Sequence, residues 1–231
     1  MYNNKKIITV IPARGGSKRL PGKNTKNLCG KPLISWTIEA AKESKYLDEV
    51  VVTSDDNSIF EIASAHNVSF IDRPKSLATD IATTSDVLLH AINEQESEFD
   101  FLVLLQPTSP LRSNVQIDEA IELLFKKGSD SIISVCECEH SPVWSNKLPE
   151  NLSMKGFIPK KYTQARSQDI ETYYRLNGAI YIIDVNIFRK NKAFLTDGSY
   201  AYIMNSEDSI DIDTMYDFIC AESLMNFKLK K

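Results

Sequence analysis

Hydrophobic and polar positions follow two rhythms along the chain. Short continuous apolar runs are typical of strands buried on both faces, whereas apolar residues three and four positions apart are typical of helices that pack on one side. The apolar runs predict strands over residues 7–11, 49–53, 68–71, 101–106, 131–135, 178–183 and 200–204. The helical spacing predicts helices over residues 32–45, about 57–66, 86–93, 115–127 and 214–226.

The order of these elements predicts the fold class. Strands and helices alternate through the first 135 residues, which indicates an α/β fold with a mostly parallel, Rossmann-like sheet and helices on both faces. Ligands bind such sheets at the carboxyl ends of the strands. At 231 residues, the chain is long enough for a single domain over 1–231.

The segment 140–175 interrupts the alternation. It contains Pro142, Pro149 and Pro159, many polar residues, and little helical or alternating pattern. A long irregular segment in a compact domain is usually functional or an interaction element. We therefore expect an insertion that acts as a dimerisation arm, and a homodimer as the assembly.

Composition excludes two classes of partner. The formal net charge of −4 argues against nucleic acid, because proteins that bind it usually carry an excess of cations. No apolar run has the length that a membrane span needs, and the first residues lack the apolar core of a signal peptide. The expected location is the cytoplasm.

A short Cys-x-Cys-x-His pattern raises the question of a zinc site. Cys136, Cys138 and His140 share one face of an extended segment, but no second pair of ligands follows at zinc-finger spacing. Reduced thiols on one face of a core strand explain the pattern better, so no zinc is expected.

The first loop carries the clearest chemical signal. Residues 12–24 read Pro-Ala-Arg-Gly-Gly-Ser-Lys-Arg-Leu-Pro-Gly-Lys-Asn, directly after the first predicted strand. Adjacent glycines allow the backbone to approach a ligand closely, and four cations can neutralise a polyphosphate. The cations are Arg14, Lys18, Arg19 and Lys23. The spacing fits neither a P-loop nor a dinucleotide-binding Gly-x-Gly-x-x-Gly.

A second polar segment ends another buried strand. Residues 104–112 read Leu-Leu-Gln-Pro-Thr-Ser-Pro-Leu-Arg, and the two prolines hold a turn that exposes the Gln106 amide with the hydroxyls of Thr108 and Ser109. These groups can bind a sugar or a base edge. A rigid turn in which Ser113 or Asn114 caps the next helix explains the residues equally well.

The third segment contains two aspartates at alternate positions. Residues 208–214 read Asp-Ser-Ile-Asp-Ile-Asp-Thr, and in an extended chain Asp211 and Asp213 lie on the same face. Converging carboxylates are costly unless a cation relieves them, so the segment predicts a Mg²⁺ site completed by phosphates. The alternative is helix capping by Asp213 or Thr214.

These segments together resemble the acylneuraminate cytidylyltransferases, which activate sialic acid and related nonulosonic acids. The Arg-Pro at 73–74, the Gln-Ala-Arg at 164–166 and the Arg-Leu-Asn-Gly-Ala-Ile-Tyr at 175–181 carry the same resemblance. It implies a GT-A-like nucleotidyltransferase domain that transfers CMP from CTP to the anomeric C2 hydroxyl of N-acetylneuraminate, with Mg²⁺ as cofactor. The same reaction on legionaminic or pseudaminic acid is a second hypothesis, and a non-catalytic nucleotide-sugar-binding protein is a third.

The resemblance also assigns roles to individual residues. Nucleotide binding falls to Ala13, Arg14, Gly15, Gly16, Ser17, Lys23, Asn24, Arg73 and Thr84. Sugar binding falls to Gln106, Thr108, Ser109, Arg166 and Arg175, where Arg175 meets the sugar carboxylate and Arg166 reaches across a dimer. Catalysis is assigned to Arg14, Lys23, Asp211 and Asp213, the last two of which bind the metal.

Overall fold

A seven-stranded sheet forms the centre of the molecule, in a computed structural model that describes residues 1–79 and 81–230. The strand order is β5-β4-β1-β6-β8-β7-β9. The strands are β1 (Ile7–Pro12), β4 (Glu49–Ser54), β5 (Ser69–Asp72), β6 (Phe101–Leu104), β7 (Ser131–Glu137), β8 (Tyr174–Asp184) and β9 (Ser199–Ile203), and β2 (Asn27–Leu28) with β3 (Lys31–Pro32) forms a separate hairpin. Only β8 runs antiparallel to its neighbours, which confirms the mostly parallel sheet.

Helices cover both faces of the sheet. They are α1 (Leu33–Lys42), α2 (Asn57–Ala65), α3 (Thr84–Asn93), α4 (Asn114–Lys127), α5 (Val185–Asn191) and α6 (Met215–Leu229). On β1, Ile7 and Ile11 pack in one core with α1, α2 and α4, whereas Ile8 and Val10 pack in another with α3 and α5. Alternate residues of a strand point to opposite faces, so this continuous apolar run serves two cores.

A third, smaller core holds the acidic segment near the first loop. Ile212 packs with Leu28 of the hairpin and Phe218 of α6, and all three are buried. Thr214 and Asp217 form a capping box at the start of α6, which fixes where the acidic segment ends and the helix begins. Residues almost 190 positions apart in the chain are thereby brought to one end of the sheet.

Several element boundaries differ from the sequence-based predictions. Pro32 pairs within the β2–β3 hairpin, so α1 begins one residue later, at Leu33. β8 begins at Tyr174 instead of residue 178, because its polar first half lacks the apolar run that marks a buried strand. Helix α5 was not predicted, since its seven residues are too few to show helical periodicity.

The segment between β7 and β8 has no α-helix or strand in the described chain. It forms three short 3-10 turns, Pro142–Trp144, Lys160–Tyr162 and Ser167–Asp169. Leu148, Leu152 and Met154 expose more than half of their surface here. Within residues 1–79 and 81–230, no helix combines the length and apolar character that a membrane span needs.

The two cysteines of the Cys-x-Cys-x-His pattern differ in burial, since Cys136 is buried and Cys138 is half-buried. Cys136 is buried in β7, and all four cysteines are free thiols. No group of three His, Cys, Asp or Glu side chains among the described residues is arranged to hold a metal ion.

Candidate active site

A cavity of about 650 Å³ opens at the carboxyl ends of β1, β5 and β6, the edge where parallel α/β sheets bind ligands. Its charged walls comprise Arg14, Lys18, Arg19, Lys23, Arg73, Asp211 and Asp213. The predicted site residues that line it are Arg14, Ser17, Lys23, Asn24, Arg73, Thr84, Gln106, Thr108, Asp211 and Asp213. The predicted residues outside its walls are Ala13, Gly15, Gly16, Ser109, Arg166 and Arg175.

The first loop is anchored to the end of β4. The amide of Ala13 donates to the carbonyl oxygen of Thr53 at 3.0 Å, and the amide of Gly15 donates to Oδ1 of Asp55 at 3.1 Å. A Cβ on Gly15 would lie only 2.8 Å from Oδ2 of Asp56, so this position needs glycine for its approach to the β4–α2 turn. The Gly15 amide thus meets a carboxylate of the β4–α2 turn.

Hydrogen bonds from two of its own side chains hold the second half of the loop. Asn24 is buried, and its Nδ2 donates to the carbonyl oxygen of Arg14 at 3.0 Å. Lys23 Nζ donates to the carbonyl oxygen of Ile212 at 2.7 Å, which links the loop to the acidic segment. Both side chains fix the shape of the cavity as well as line it.

Arg73 places a desolvated cation in the wall. Its Nη2 donates to the carbonyl oxygen of Thr53 at 2.6 Å, and its Nε has no hydrogen-bond partner in the described structure. Burial lowers the pKa of the Arg73 guanidinium to about 10; Asp55 opposes this shift and the charge of Arg14 adds to it. A buried donor without a partner is costly, so the Arg73 guanidinium is kept in the cavity wall at some expense of stability.

The two aspartates of the acidic segment meet different surroundings. Asp213 forms ion pairs with Lys23 at 3.2 Å and with Arg19 at 3.0 Å. The amide of Ile212 donates to the carbonyl oxygen of Thr108 at 2.8 Å, so the segment is also tied to the turn after β6.

Asp211 is exposed at the cavity wall, but neighbouring protein atoms remove part of the hydration of its carboxyl group. Reduced hydration raises the pKa of the Asp211 carboxyl above its ordinary value, and the nearby charge of Asp213 raises it further. A hydrogen bond from Thr108 and the charge of Lys23 act in the opposite direction. A positive charge placed beside the Asp211 carboxylate would oppose this rise in its pKa.

The turn after β6 separates its three polar side chains. Gln106 and Thr108 line the cavity, but Ser109 is fully buried and its hydroxyl has no partner among the described residues. Gly178, at φ +75°, lies beside this turn: a Cβ there would be 2.9 Å from Oε1 of Gln106 and 3.8 Å from Cγ of Asp211. Gly178 is therefore the point where the polar turn and the acidic segment meet.

Two predicted sugar-binding arginines lie away from this cavity. Arg175 pairs with both carboxylate oxygens of Glu139, at 2.6 and 3.2 Å. Arg166 is exposed at the start of the 3-10 turn Ser167–Asp169. Arg175 lies in β8 opposite Cys136 of β7, whereas Arg166 belongs to the irregular segment.

Two further cations belong to the site. The sequence marked Lys18 and Arg19 as part of the basic loop without assigning them a role, and both line the cavity. The concentration of cations in this one loop was the signal in the sequence that could have assigned Lys18 and Arg19 to the site. With five cations and two carboxylates in its walls, the cavity can hold a polyanion together with a small cation.

A mostly parallel α/β sheet with a basic cavity at its carboxyl edge defines the class of nucleotide-binding α/β proteins. Residues 8–197 match the family model of the cytidylyltransferases, and the chain belongs to that family. This confirms the family that the sequence motifs indicated.

Three relatives illustrate the range of similarity. The chain is 39% identical to a CMP-N,N'-diacetyllegionaminic acid synthase of Legionella pneumophila, over 95% of this chain and 96% of the relative. It is 40% identical to an N-acylneuraminate cytidylyltransferase of Streptococcus agalactiae serotype III, over 93% of this chain but only 52% of that relative's length. It is 34% identical to a pseudaminic acid cytidylyltransferase of Campylobacter jejuni, over 95% of this chain and 96% of the relative.

Solved structures confirm the nucleotidyltransferase fold. A CMP:2-keto-3-deoxy-manno-octonic acid synthetase in complex with CTP matches with a TM-score of 0.74 and 18% identity, over 96% of this chain and 99% of that chain. A 4-diphosphocytidyl-2C-methyl-D-erythritol synthase from Anaerococcus prevotii matches with a TM-score of 0.67 and 14% identity, over 96% of both chains.

Proposed function

We propose that the protein transfers CMP from CTP to the anomeric C2 hydroxyl of a nonulosonic acid and releases pyrophosphate. The observation that carries this proposal is the cavity itself, which combines five cations with two aspartates in a chain of the cytidylyltransferase family. N-acetylneuraminate is our first candidate acid. N,N'-diacetyllegionaminate is the second, because the Legionella relative matches over nearly its full length.

The basic side of the cavity binds the triphosphate. Arg14, Lys18 and Lys23 supply charges that compensate the phosphates, and we assign Arg73, which lines the same cavity, to the nucleoside side. Asn24 keeps Arg14 in place through its backbone, so the loop is shaped before the nucleotide binds. Preorganised charge of this kind favours the departure of pyrophosphate.

Asp211 and Asp213 fit a magnesium ion. They offer hard carboxylate oxygens on one wall of the cavity, and Mg²⁺ is usually bound by one or two carboxylates together with substrate phosphates. Desolvation and the charge of Asp213 raise the pKa of the Asp211 carboxyl, and a cation bound beside it would oppose both effects. When bound, the ion neutralises negative charge on the phosphate oxygens.

The protein contributes to the chemical step mainly by positioning the reactants rather than by covalent catalysis. The C2 hydroxyl oxygen forms a bond to the α-phosphorus, the bond from that phosphorus to the β-phosphate bridge oxygen breaks, and the hydroxyl proton goes to solvent. Gln106 and Thr108, which line the same cavity, orient the sugar acid. Holding both reactants in line supplies much of the rate gain.

We further propose that the protein acts as a homodimer whose irregular segment completes the partner's site. Arg166 is exposed and lies outside the cavity of its own chain, and the same segment exposes Leu148, Leu152 and Met154. Arg175 binds the sugar carboxylate in this arrangement, because a guanidinium that already pairs in a bidentate manner with Glu139 can exchange one carboxylate for another.

The substrate acid is identified by competition. The protein is incubated with CTP, Mg²⁺ and equal concentrations of N-acetylneuraminate, N,N'-diacetyllegionaminate and pseudaminate, and the CMP-sugars are resolved by mass spectrometry. We expect CMP-N-acetylneuraminate as the main product. A main product from either other acid would correct the acid while supporting the reaction, and the absence of any CMP-sugar would refute the reaction.

A further inference from the structure

β8 carries a large bulge at the edge of the cavity. β7 and β8 pair regularly from Ser131 to Ile133, but the register then shifts, and Val135 lies opposite Leu176. Residues 177–180 of β8 therefore lie opposite the single residue Ser134. Bulges occur often beside active sites because they redirect side chains and backbone.

A buried polar pair holds the bulge from the β7 side. The Ser134 hydroxyl donates to Oδ1 of Asn177 at 2.6 Å and accepts from the amide of Ile180 at 2.7 Å. Asn177 Nδ2 donates to the Ser209 hydroxyl at 2.9 Å, two residues before Asp211. Asn177, Ser134 and Ser209 are almost fully buried, so these hydrogen bonds fix both ends of the bulge and the acidic segment together.

The guanidinium of Arg112 holds the same bulge from the opposite side. Its Nη1 donates to the carbonyl oxygens of Ala179 at 2.8 Å and Gln106 at 3.4 Å, and its Nη2 donates to the Thr37 hydroxyl at 2.8 Å. Arg112 is 2% exposed, and no carboxylate pairs with it within residues 1–79 and 81–230. Burial lowers the pKa of the Arg112 guanidinium to about 9.

An unpaired buried cation is an expensive way to stabilise a fold, because desolvation of the charge is not repaid by a counter-ion. Apolar side chains would fill the same space at lower cost. What the planar guanidinium does supply is one nitrogen, Nη1, whose two N–H groups join the backbone of the Gln106 turn to that of the bulge. Gly178 lies between these two backbones, and a Cβ added to it would be 2.9 Å from Oε1 of Gln106.

We propose that Arg112 and the Ser134–Asn177 pair are positioning residues that hold the β8 bulge, and thereby fix the distance between Gln106 and Asp211 to suit the sugar acid. None of the three lines the cavity, so they act through the residues that do. The inference rests on the proposed function, in which Gln106 faces the sugar and Asp211 the nucleotide phosphates.

Steady-state kinetics on three variants test the proposal. Arg112→Lys keeps the charge but loses the planar guanidinium, Ser134→Ala removes the support from β7, and Thr37→Val is the matched control that removes only the contact of Arg112 with α1. We expect the first two to raise KM for the sugar acid about tenfold while KM for CTP stays within about twofold. Thr37→Val is expected to lower the Tm without changing either KM.

Three results would overturn the proposal. One is an unchanged KM for the sugar acid in both folded variants, and another is an equal rise for both substrates. The third is loss of folding in Arg112→Lys and Ser134→Ala while Thr37→Val folds, which would give the contacts a purely structural role. The activity of the wild-type protein in the same assay tests the proposed function separately. A wild-type protein without turnover would have no KM with which the variants could be compared.

Discussion

Asp211 and Asp213 lie two residues apart on one wall of the cavity, yet their carboxylates have different surroundings. Asp213 is balanced by ion pairs with Lys23 and Arg19, whereas reduced hydration raises the pKa of the Asp211 carboxyl. A carboxylate kept where it is poorly stabilised costs folding free energy, and such costs are typical of sites shaped by function.

Asp211→Asn is expected to raise the Tm at pH 7. A carboxyl whose pKa is higher in the folded than in the unfolded protein binds its proton more tightly when folded, so its contribution to stability is lost as pH rises through that folded pKa. Below about pH 4, the ordinary pKa of aspartate, the carboxyl is protonated in both states and the gain should vanish. Thermal unfolding of both proteins at several pH values checks this, and a gain that is independent of pH would contradict it.

Gly178→Ala is expected to damage both stability and sugar binding. The left-handed φ of +75° strains any side chain, and the new Cβ would press on the Gln106 amide at 2.9 Å. Gly156→Ala is the matched control, because Gly156 has a φ of +74° with nothing within 4 Å of its Cβ position. Urea unfolding should show a loss of about 1 kcal/mol for Gly156→Ala and a larger loss for Gly178→Ala.

Only Gly178→Ala should also raise KM for the sugar acid, because only this Cβ displaces a side chain of the cavity. Equal stability losses in the two variants, with both KM values unchanged, would remove Gly178 from the account of the site.

At the scale of elements, the turn after β6 has two separable functions. Ser113 caps α4 in a capping box with Gln116, as one reading of the sequence predicted, while Gln106 and Thr108 line the cavity. The two hypotheses that the sequence left open for this segment therefore apply to different residues of it.

Ser113→Ala is expected to lower the free energy of unfolding by about 1 kcal/mol, because the amide of Gln116 loses its cap. Neither KM should change, since Ser113 lies outside the cavity. Ser113→Thr, which keeps a hydroxyl, is the control for denaturant unfolding and kinetics. A changed KM for the sugar acid in the alanine variant would show that capping and binding are coupled.

The elements show what the sequence could and could not predict. Apolar runs such as 7–11 predicted the central strands, because strands covered on both faces contain little else. The bulge of β8 could not be predicted, because the hydrogen bonds that hold it join residues far apart in the chain. Ser134 lies 43 residues from Asn177, and Arg112 lies 67 residues from Ala179.

The same distinction applies to the site. Arg14 and Lys23 were predictable because cations clustered after a strand mark a phosphate loop. The burial of Ser109 and the pairing of Arg175 with Glu139 were not, because both depend on tertiary packing that local residue types do not encode.

At the scale of the whole molecule, the irregular segment over residues 140–175 stands out because it exposes apolar side chains that the rest of the described chain does not cover. Its exposed apolar side chains and the exposed Arg166 agree with an arm that acts on a second copy. The dimer proposal therefore predicts that one active site needs residues from two chains.

Subunit complementation tests this prediction. Arg166→Ala and Asp213→Asn should each be almost inactive, but co-expressed chains should recover about a quarter of wild-type activity, because half of the dimers are mixed and each has one intact site. Each variant expressed alone is the control. No recovery in dimers that contain both chains would place Arg166 in the site of its own chain or outside the reaction.

The central claim is that this cavity joins CTP to a nonulosonic acid with the help of Asp213, and pyrophosphate release tests it most directly. Release is measured with CTP, UTP, ATP or GTP, with and without N-acetylneuraminate, N,N'-diacetyllegionaminate or pseudaminate, for wild type, Asp213→Asn and the control Asp208→Asn from outside the cavity. We predict release that requires CTP and a sugar acid together, unchanged in Asp208→Asn and at least about 100-fold slower in Asp213→Asn. Release without any acid, equal release with a purine nucleotide, or full activity of Asp213→Asn would contradict the account.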